Sequence, residues 1–506
     1  MLFLIPLIYI SGIAASIHPI TVVGKSFIDT VTQQPFFIKG VDYQPGGSSA
    51  ALQPYDPLSD PLVCARDIAL FQKMKLNTIR VYDVDSSLNH DACMTMLAAA
   101  GIYLVLDVNS PLQNHHLNRY EPWSTYTKEY LNNIFQVVHQ FSTYNNTLAF
   151  FAGNEIVNDV LSASKSPAYV KAVVRDIKQY IRSNSPRLIP VGYSAADDLN
   201  YRVPLTRYLE CATKDSIEAI DFYGVNSYQW CGEQTFYTSG YSALVDAYTS
   251  FSRPVFFSEY GCNTVQPRKF GEMKSLYSED MNRVFSGGLI YEFTQEPNNY
   301  GLVRVLPNKN VQLLPDFHQA KRQFASLADA KASSGAKRSS RTKAKVNPSP
   351  PKCEDLYANI HTTKILPPCP ALDLIHRGVK SKQGTYTRLT DAMLKSPYKI
   401  LDVDGKLVYL EAPKIDIKTS SLTGSDHQSG MYKQEAVVER IGDEPETPDY
   451  VDSSLRENPS YEFDPSKITY TGQTSVEEEP EQQNLLDAFL QKINWILAYL
   501  FDADSG

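Results

Sequence analysis

The sequence predicts an α/β protein built on a closed (β/α)8 barrel, the fold class known as the TIM barrel. Eight short runs rich in aromatic and β-branched residues lie between residues 35 and 293. Longer segments with apolar residues at helical spacing, such as ARDIALFQKMK and PAYVKAVVRDIKQYI, separate the runs. The runs are nearly continuous in apolarity, as parallel strands covered on both faces should be. A doubly wound open sheet is the alternative, but no Gly-x-Gly-x-x-Gly follows the first run to favour it.

Each run is a predicted barrel strand. The eight runs, with the number of the first residue, are PFFIKGVDY at 35, TIRVY at 78, YLVLDV at 103, TLAFFAG at 147, IPVGYS at 189, IDFYGV at 220, PVFFSEY at 254 and GLIYEF at 288. They begin 25 to 44 residues apart, which leaves room for one helix after each strand. We therefore expect the barrel domain to cover residues 17–325.

Residues 1–16, MLFLIPLIYISGIAAS, have the profile of a secretory signal peptide. The apolar stretch ends in small residues and is too short to span a bilayer comfortably. We expect cleavage near Ala14 to Ser16, and a buried N-terminal strand or helix is the alternative. Secretion would place the seven cysteines in an oxidising compartment, and it makes Asn145 of the sequon Asn145-Asn146-Thr147 a predicted glycosylation site.

After the barrel, the sequence predicts a linker and a small module. Residues 326–352 include KASSGAKRSSRTKAKV, which has six basic residues, four serines and no acid, so we interpret this range as a solvated linker. Residues 353–418 contain a predicted hairpin in which Asp404-Gly405 separates YKILDV from KLVYL. This range is therefore predicted to be a small β-rich module.

The last part of the chain is acidic and then apolar. Residues 419–484 are predicted to be a disordered acidic segment, because the stretch from Asp426 to Glu481 has fifteen acids and four bases. Residues 485–506 contain the apolar run LLDAFLQKINWILAYLF, interrupted by charged and polar residues. Two interpretations stay open for this tail: a signal for a glycosylphosphatidylinositol (GPI) lipid anchor, and an amphipathic helix.

Two glutamates lie where predicted strands end, which is the edge that carries the active site in this fold. Glu155 ends the fourth run in FFAGNE, and Glu259 ends the seventh in FFSEYG. Two facing carboxylates without a metal suit glycosidic bond cleavage, where one protonates the leaving oxygen and the other attacks the sugar. Asn154 could hydrogen-bond the sugar 2-hydroxyl. The alternative is that each glutamate is a salt-bridge partner or lies beside a helix cap.

Other aromatic and polar residues could form the walls of a carbohydrate cleft. Those at or just past predicted strand ends are Tyr43, Tyr82, Asp107, Asn109, Tyr228, Trp230, Tyr260 and Tyr291. Taken singly, each of these aromatics suits the core or the rim as well as a ligand contact. No Gly-x-Ser-x-Gly motif accompanies the histidines, so a hydrolytic triad is not expected.

Five motifs in order resemble one enzyme family. They are GVDYQPGGSS at 40–49, LDVNSP at 106–111, FFAGNE at 150–155, DFYGVNSYQWCG at 221–232 and FFSEYGCN at 256–263. The chain resembles the fungal β-1,3-glucanosyltransferases of glycoside hydrolase family 72, the Gas/Gel/Phr proteins, over about residues 17–320. It is similar to their shorter subfamily, which has no cysteine-rich carbohydrate-binding module.

The resemblance implies a retaining mechanism in which Glu155 is the general acid/base and Glu259 the nucleophile. Because the two carboxyl groups of a retaining pair lie about 5 Å apart, we expect the pKa of Glu155 to be raised relative to that of Glu259. Substrate contacts implied by the family are Gln44, Tyr82, Asp107, Asn154, Tyr228, Tyr291 and Tyr300. The implied disulfides are Cys64–Cys93, Cys231–Cys262 and Cys211–Cys353. Cys369 is then left unpaired.

The resulting hypothesis is a secreted transglycosylase that elongates β-1,3-glucan of a cell or spore wall without a cofactor or a metal. The alternatives are an endo-β-1,3-glucanase that mainly hydrolyses and a non-catalytic wall-glucan binder. A formal charge of -8 and the absence of a large basic segment in the barrel argue against nucleic acid as a partner. We expect a cell-surface or cell-wall location, with attachment to the plasma membrane through a GPI anchor if the tail is such a signal.

Overall fold

The computed structural model describes residues 17–48, 56–213, 215–333, 349–363, 365–408 and 412–418. The predicted signal peptide, most of the basic linker, the acidic segment and the apolar tail lie outside the described residues. The predictions for those segments therefore stay predictions.

Three short strands come first and form an antiparallel sheet: β1 (Ile20–Val23), β2 (Ser26–Asp29) and β3 (Pro35–Phe36). The β1–β2 hairpin inserts apolar side chains, among them Phe27, into a cluster with apolar residues of the barrel strands. The ring of Phe27 lies 5.8 Å from that of Phe222 and 5.9 Å from that of Phe256. The hairpin therefore closes the N-terminal end of the barrel.

The barrel is closed by eight parallel strands, as the sequence predicts. They are β4 (Ile38–Asp42), β5 (Thr78–Val81), β6 (Tyr103–Asp107), β7 (Thr147–Asn154), β8 (Val191–Ala196), β9 (Phe222–Ser227), β10 (Val255–Tyr260) and β11 (Phe285–Ile290). Each predicted run overlaps one barrel strand. The first run is divided, because Pro35–Phe36 pairs with β2 and only Ile38–Asp42 enters the barrel.

Helices follow the barrel strands and cover the outside. Their bounds are α1 (Pro61–Lys73), α2 (Asp91–Ala99), α3 (Pro122–Thr125), α4 (Lys128–Phe141), α5 (Val160–Lys165), α6 (Pro167–Asn184), α7 (Arg202–Glu210), α8 (Tyr241–Tyr248), α9 (Glu272–Leu276), α10 (Glu279–Asn282), α11 (Pro315–Ser333) and α12 (Leu372–Arg377). Helix α1 begins where the sequence favours it, because Asp60 caps the backbone amides of Leu62 and Val63 and Pro61 is the first helical residue. None of the helices described here is long and apolar enough to cross a membrane.

The part after the barrel differs from the predicted linker and β-rich module. Helix α11 continues to Ser333, eight residues past the predicted boundary at 325. The described residues of 353–418 contain one six-residue helix and the two-residue strand β14 (Ile400–Leu401). Strand β14 pairs with β13 (Val311–Leu313), which also pairs with β12 (Val303–Val305). The predicted turn is present, with a bond from the amide of Gly405 to the carbonyl of Asp402.

The reason for this difference is that the segment after residue 353 lies along the barrel instead of forming its own core. Its backbone forms hydrogen bonds with side chains of the barrel domain. For example, the amide of Thr385 donates to Asp91 Oδ1. These residues belong to the same compact unit as the barrel. Aromatic and β-branched residues such as Tyr386 and Ile400 pack on the barrel. Their spacing in the sequence resembles that of β-strands, although most of the described residues of this segment form no strand.

The structure contains three disulfides with the pairing that the family resemblance implies. They join Cys64 to Cys93, Cys211 to Cys353 and Cys231 to Cys262. The second of these fastens the segment after the linker to the residue that follows α7. Cys369 is free and half-buried, and burial raises the pKa of its thiol to about 12.

Candidate active site

The carboxyl ends of the parallel strands bring the two candidate glutamates to one face of the barrel. Glu155 directly follows β7, and Glu259 lies within the last two residues of β10. Strands β8 and β9 lie between them in the barrel order. The face at which they meet is the one on which active sites of this fold are found.

Glu259 is a buried carboxylate held by three donors. The hydroxyl of Tyr82 donates to its Oε1 at 2.7 Å, and the hydroxyl of Tyr228 donates to its Oε2 at 2.7 Å. The guanidinium of Arg80 donates to Oε1 at 3.2 Å. Hydrogen bonds from three sides fix the orientation of the carboxylate and favour its charged form.

Arg80 is the cation at the floor of this site, and it is fully buried. Its guanidinium makes two parallel bonds to Asp107, at 2.9 and 2.8 Å. It also donates to Asn154 Oδ1 at 3.0 Å. Bidentate pairing of this kind holds a guanidinium rigidly, so Arg80 connects the ends of β6, β7 and β10.

Glu155 is half-buried and is positioned through amides. The side-chain amide of Asn226 donates to Glu155 Oε1 at 2.9 Å and to Asn154 Oδ1 at 3.1 Å. Asn226 is itself oriented by Ser194 and Ser258, whose hydroxyls donate to its Oδ1. Since Asn154 accepts both of its bonds through Oδ1, its amide NH2 is the group left to donate to a sugar hydroxyl.

The backbone at Glu155 has a φ of 46°, in the left-handed region that residues other than glycine adopt infrequently. Its amide donates to the carbonyl of Ser194 at 2.8 Å, which ties this turn to β8. Strained backbone held in place by its surroundings clusters at functional sites. The conformation directs the carboxylate of Glu155 toward Asn226, and through it toward the Arg80 network.

Burial raises the pKa of Glu259 to about 7, against the lowering effects of Arg80 and of the hydroxyls of Tyr228 and Tyr82; the neighbouring Glu155 charge adds to the increase. The sequence predicts the raised pKa on the other carboxyl of the pair. Glu259 has its pKa raised because it lies in the floor of the barrel and is 7% exposed.

Two more carboxyl groups lie close to Glu259, and the sequence analysis did not single them out. Asp42, opposite Arg80 in the β4–β5 register, is fully buried, and neither of its oxygens has a hydrogen-bond partner among the described residues. Burial raises the pKa of Asp42 well above its usual value, and it raises that of Glu292 to about 8. Both therefore favour the neutral acid, which limits the negative charge around Arg80.

The other expected substrate contacts fall at the same face. Gln44 accepts through its Oε1 from the backbone amides of Tyr82 and Asp83, at 3.2 and 3.1 Å, which leaves its NH2 group for a ligand. The rings of Tyr228, Tyr291 and Tyr300 form edge-to-face contacts, with centroids 5.2 to 6.1 Å apart. Tyr82 extends this aromatic wall through a contact with Tyr291 at 6.5 Å.

Four residues at predicted strand ends have other contacts. Tyr43, Tyr260 and Trp230 are buried in the hydrophobic core, and the hydroxyl of Tyr43 donates to Asp67. Asn109 is bonded to the carbonyl of Ala152 and accepts from Tyr130. In the structure these side chains support the barrel rather than line the group around Glu155 and Glu259.

Sequence reasoning missed Arg80 and Asn226, which connect the two glutamates. The signal for Arg80 was an arginine in the middle of the strand TIRVY, since a charge inside a buried strand needs a partner. Asn226 lies in DFYGVN, where it follows an apolar run as Asn154 does. Within the described residues, no group of three or more histidines, cysteines, aspartates and glutamates could hold a metal ion.

A model of the glucanosyltransferase family matches residues 10–328. The 1,3-beta-glucanosyltransferase GAS4 of Saccharomyces cerevisiae is 55% identical over 418 residues, which are 81% of this chain and 86% of that protein. The 1,3-beta-glucanosyltransferase gel2 of Aspergillus fumigatus is 48% identical over 67% of this chain and 70% of its own. Among solved structures, S. cerevisiae Gas2p in complex with laminaripentaose is 41% identical, with a TM-score of 0.58, over 62% of this chain and 70% of that chain.

Proposed function

The chain belongs to the glucanosyltransferase family, and from this premise we propose that it is a retaining 1,3-β-glucanosyltransferase. It cuts a β-1,3-glucan donor internally and transfers the new reducing end to the non-reducing end of another β-1,3-glucan. The observation that carries the assignment is the pair Glu155 and Glu259, linked through Arg80, Asn154 and Asn226 at the carboxyl ends of the strands.

We assign Glu259 as the nucleophile. In the first step its carboxylate attacks the anomeric carbon of the donor, the glycosidic bond breaks, and Glu155 gives its proton to the leaving oxygen. The new bond is an ester between the donor fragment and Glu259. Arg80, Tyr82 and Tyr228 keep the carboxylate in one orientation before the attack, which lowers the cost of reaching the transition state.

We assign Glu155 as the general acid in the first step and the general base in the second. Having lost its proton, it takes one from a hydroxyl at the non-reducing end of the acceptor glucan, and that oxygen attacks the anomeric carbon. The ester breaks, Glu259 is ionised again, and a new β-1,3 bond has formed. The number of glycosidic bonds is unchanged, so elongation needs no energy input and no cofactor.

Transfer requires the acceptor sugar to react in preference to water. Flat aromatic rings and oriented amides favour a sugar, because they bind its faces and hydroxyls while water gains little from them. The side chains assigned this role are Gln44, Tyr82, Asp107, Asn154, Tyr228, Tyr291 and Tyr300. Of these, Asp107 has both oxygens bonded to Arg80, so its contribution includes positioning that arginine.

We also propose that the protein works at the cell surface in contact with the wall. Supporting this are the relatives that are named 1,3-beta-glucanosyltransferases and the profile of the first sixteen residues. Attachment to the plasma membrane through a GPI anchor at the apolar tail, and an N-glycan on Asn145, belong to the same proposal. Asn145 precedes β7, at the end of the barrel opposite the glutamates.

Product analysis tests the function. Purified protein is incubated with a borohydride-reduced β-1,3-glucan oligomer of known length, and the products are measured by mass spectrometry. The proposal predicts products longer than the donor, and none with Glu259→Gln. If only shorter products formed, the protein would be an endo-β-1,3-glucanase. Binding without turnover, unchanged by Glu155→Gln, would indicate a wall-glucan binding protein.

A further inference from the structure

A second cavity, of about 330 Å³, lies on the flank of the barrel, apart from the cluster around Glu259. It is lined by the loop before α2 together with the first residue of that helix, by helix α4 and by residues 380–384. Of the twelve residues that line it, ten have a hydroxyl, amide or charged side chain. The exceptions are Leu88 and Gly384. The mechanism described above uses none of these residues.

The walls of this flank cavity are held in place by hydrogen bonds. Ser86 donates to Gln136 at 3.2 Å, which ties the loop to α4. The amide of Gly384 donates to the carbonyl of Gln140 at 3.0 Å, and the carbonyl of Gly384 accepts from Thr143 at 2.7 Å. Residues 380–384 are therefore fastened to the barrel, and the cavity is formed before any ligand arrives.

Gln140 lies in the wall of the cavity and has an acceptor that no described residue uses. The residue is 6% exposed, and its NH2 group donates to the carbonyl of Leu88 at 2.7 Å, which fixes the orientation of the side-chain amide. Its Oε1 is buried and has no hydrogen-bond partner among the described residues. A buried acceptor left without a donor is costly, so this oxygen marks a position where a donor group belongs.

The chemistry of the lining selects an uncharged ligand rich in hydroxyls. An anion whose oxygens mainly accept hydrogen bonds suits Gln140 Oε1 poorly, and the carboxylate of Asp91 would repel it. A cation would meet Lys380 and Lys382, the latter 3.7 Å from Asp91. Sugar hydroxyls both donate and accept hydrogen bonds, so they can pair with the amide, hydroxyl and charged groups of the lining. The volume lies at the lower end of the range of about 300–1,000 Å³ for ligand pockets.

We propose that the flank cavity binds one or two glucosyl units of a β-1,3-glucan chain, as a second saccharide site outside the catalytic cleft. The identity of the sugar rests on the proposed function. A polymer held at a second point stays near the cleft after one end is released, which raises its effective concentration there.

The test compares two cavity variants with a matched control. Ser87→Trp fills the cavity from an exposed position, and Gln140→Met removes the free acceptor at nearly constant volume. Ser326→Trp places the same large side chain at an exposed serine of α11. Each is made in the Glu259→Gln background for co-sedimentation with insoluble β-1,3-glucan, and in the native background for the elongation of a short soluble oligomer.

We expect both cavity variants to bind insoluble glucan about three- to tenfold more weakly, the factor for losing one or two hydrogen bonds, while Ser326→Trp is unchanged. Elongation of the short oligomer should stay at the native rate in all three. Unchanged glucan binding in both cavity variants, or an equal loss in Ser326→Trp, would overturn the proposal while elongation still supports the proposed function. If the native chain gave no elongated products but both cavity variants bound glucan more weakly, the saccharide site would stand and the proposed function would fail.

Discussion

The two ends of the barrel are closed in opposite ways. At the N-terminal end, the rings of Phe27, Phe222 and Phe256 fill the space between the strands and need no hydrogen-bond partner. At the C-terminal end, barrel strands end in charged and amide groups, which Arg80 joins to one another. Phe151 marks the boundary, with Phe222 at 5.2 Å on one side and the guanidinium of Arg80 at 4.8 Å on the other.

This difference teaches that stability and function are separated along the strands. Apolar packing at one end is strongly favourable, and a loss of side-chain volume there lowers the free energy of unfolding. Buried ionisable groups at the other end cost free energy unless they are paired, and the chain retains several of them. Buried ionisable groups that lower the stability of the fold and are nevertheless retained indicate a functional site.

The largest effect on chemistry is expected for Glu259→Gln. The amide has no negative charge and cannot form the ester, so transfer should fall by at least about a thousandfold. The rate of product formation from a reduced oligomer measures this loss, and circular dichroism checks that the fold is kept. The matched control is Glu272→Gln, which neutralises a buried carboxyl outside the site and should leave the rate near its native value.

At the apolar end, a substitution should lower stability and leave the activity of the folded protein unchanged. Phe27→Ala removes a fully buried ring, and loss of its contacts together with the resulting cavity should lower the free energy of unfolding by about 3–5 kcal/mol. The folded fraction should retain its kcat/KM. Denaturant unfolding and steady-state rates measure the two quantities. Val31→Ala, at an exposed position near the same hairpin, should change stability by less than about 0.5 kcal/mol. A large loss of kcat/KM in Phe27→Ala would show that the two ends are not separable.

A pH effect on stability is expected from Glu272, whose pKa burial raises to about 7 from its usual 4.5. A carboxyl with a raised folded pKa stabilises the fold fully below its unfolded pKa, and this contribution is lost as pH rises through the folded value. Unfolding free energy should therefore decrease between pH 5 and pH 8. Glu272→Gln should make that decrease smaller by about 2–3 kcal/mol, as measured by denaturant titration at several pH values.

The exposed carboxylate Asp280 provides the control for this measurement. Asp280→Asn should leave the slope of stability against pH as it is in the native protein. A slope that did not change in Glu272→Gln would mean that this carboxyl has the same proton affinity in the folded and unfolded chains.

The smallest effect is a shift in the pH dependence of activity. Tyr228 donates to the carboxylate of Glu259, so Tyr228→Phe removes a bond that favours the charged form. The pKa of Glu259 should rise, and the acid limb of kcat/KM should move to higher pH by about one unit. Tyr237→Phe, an exposed tyrosine of the same loop, should not move the profile. A shift to lower pH in Tyr228→Phe would mean that the hydroxyl favours the neutral acid.

The sequence predicts the fold well because its signals are local. Apolar runs such as TLAFFAG and the helical spacing between them determine strands and helices, and the 104 residues between Glu155 and Glu259 fit three β-α units. The division of the first run was not predictable in this way, because whether Pro35–Phe36 joins the barrel depends on pairing with β2. The segment after residue 353 was misjudged for a similar reason, since its partners lie on the barrel.

The site was predictable only in part. A strand-end position could be assigned to Glu155, Glu259 and Asn154 from the sequence alone. The contacts of Arg80 could not, because they join residues 27 to 179 positions apart in the chain. The raised pKa of Glu259 is a further example, since it depends on how deeply the side chain is buried, and only the folded barrel determines that.

The central claim is that Glu259 forms the covalent intermediate, and chemical trapping tests it most directly. The protein is incubated with a laminari-oligosaccharide donor that has fluorine at C2 and a good leaving group at C1, which slows the breakdown of the ester. Peptide mass mapping then locates the attached sugar. The account predicts a single modified peptide, with the sugar on Glu259 and no label in Glu259→Gln. A label on Glu155 or on another residue, or no label in a protein that elongates glucan, would contradict it.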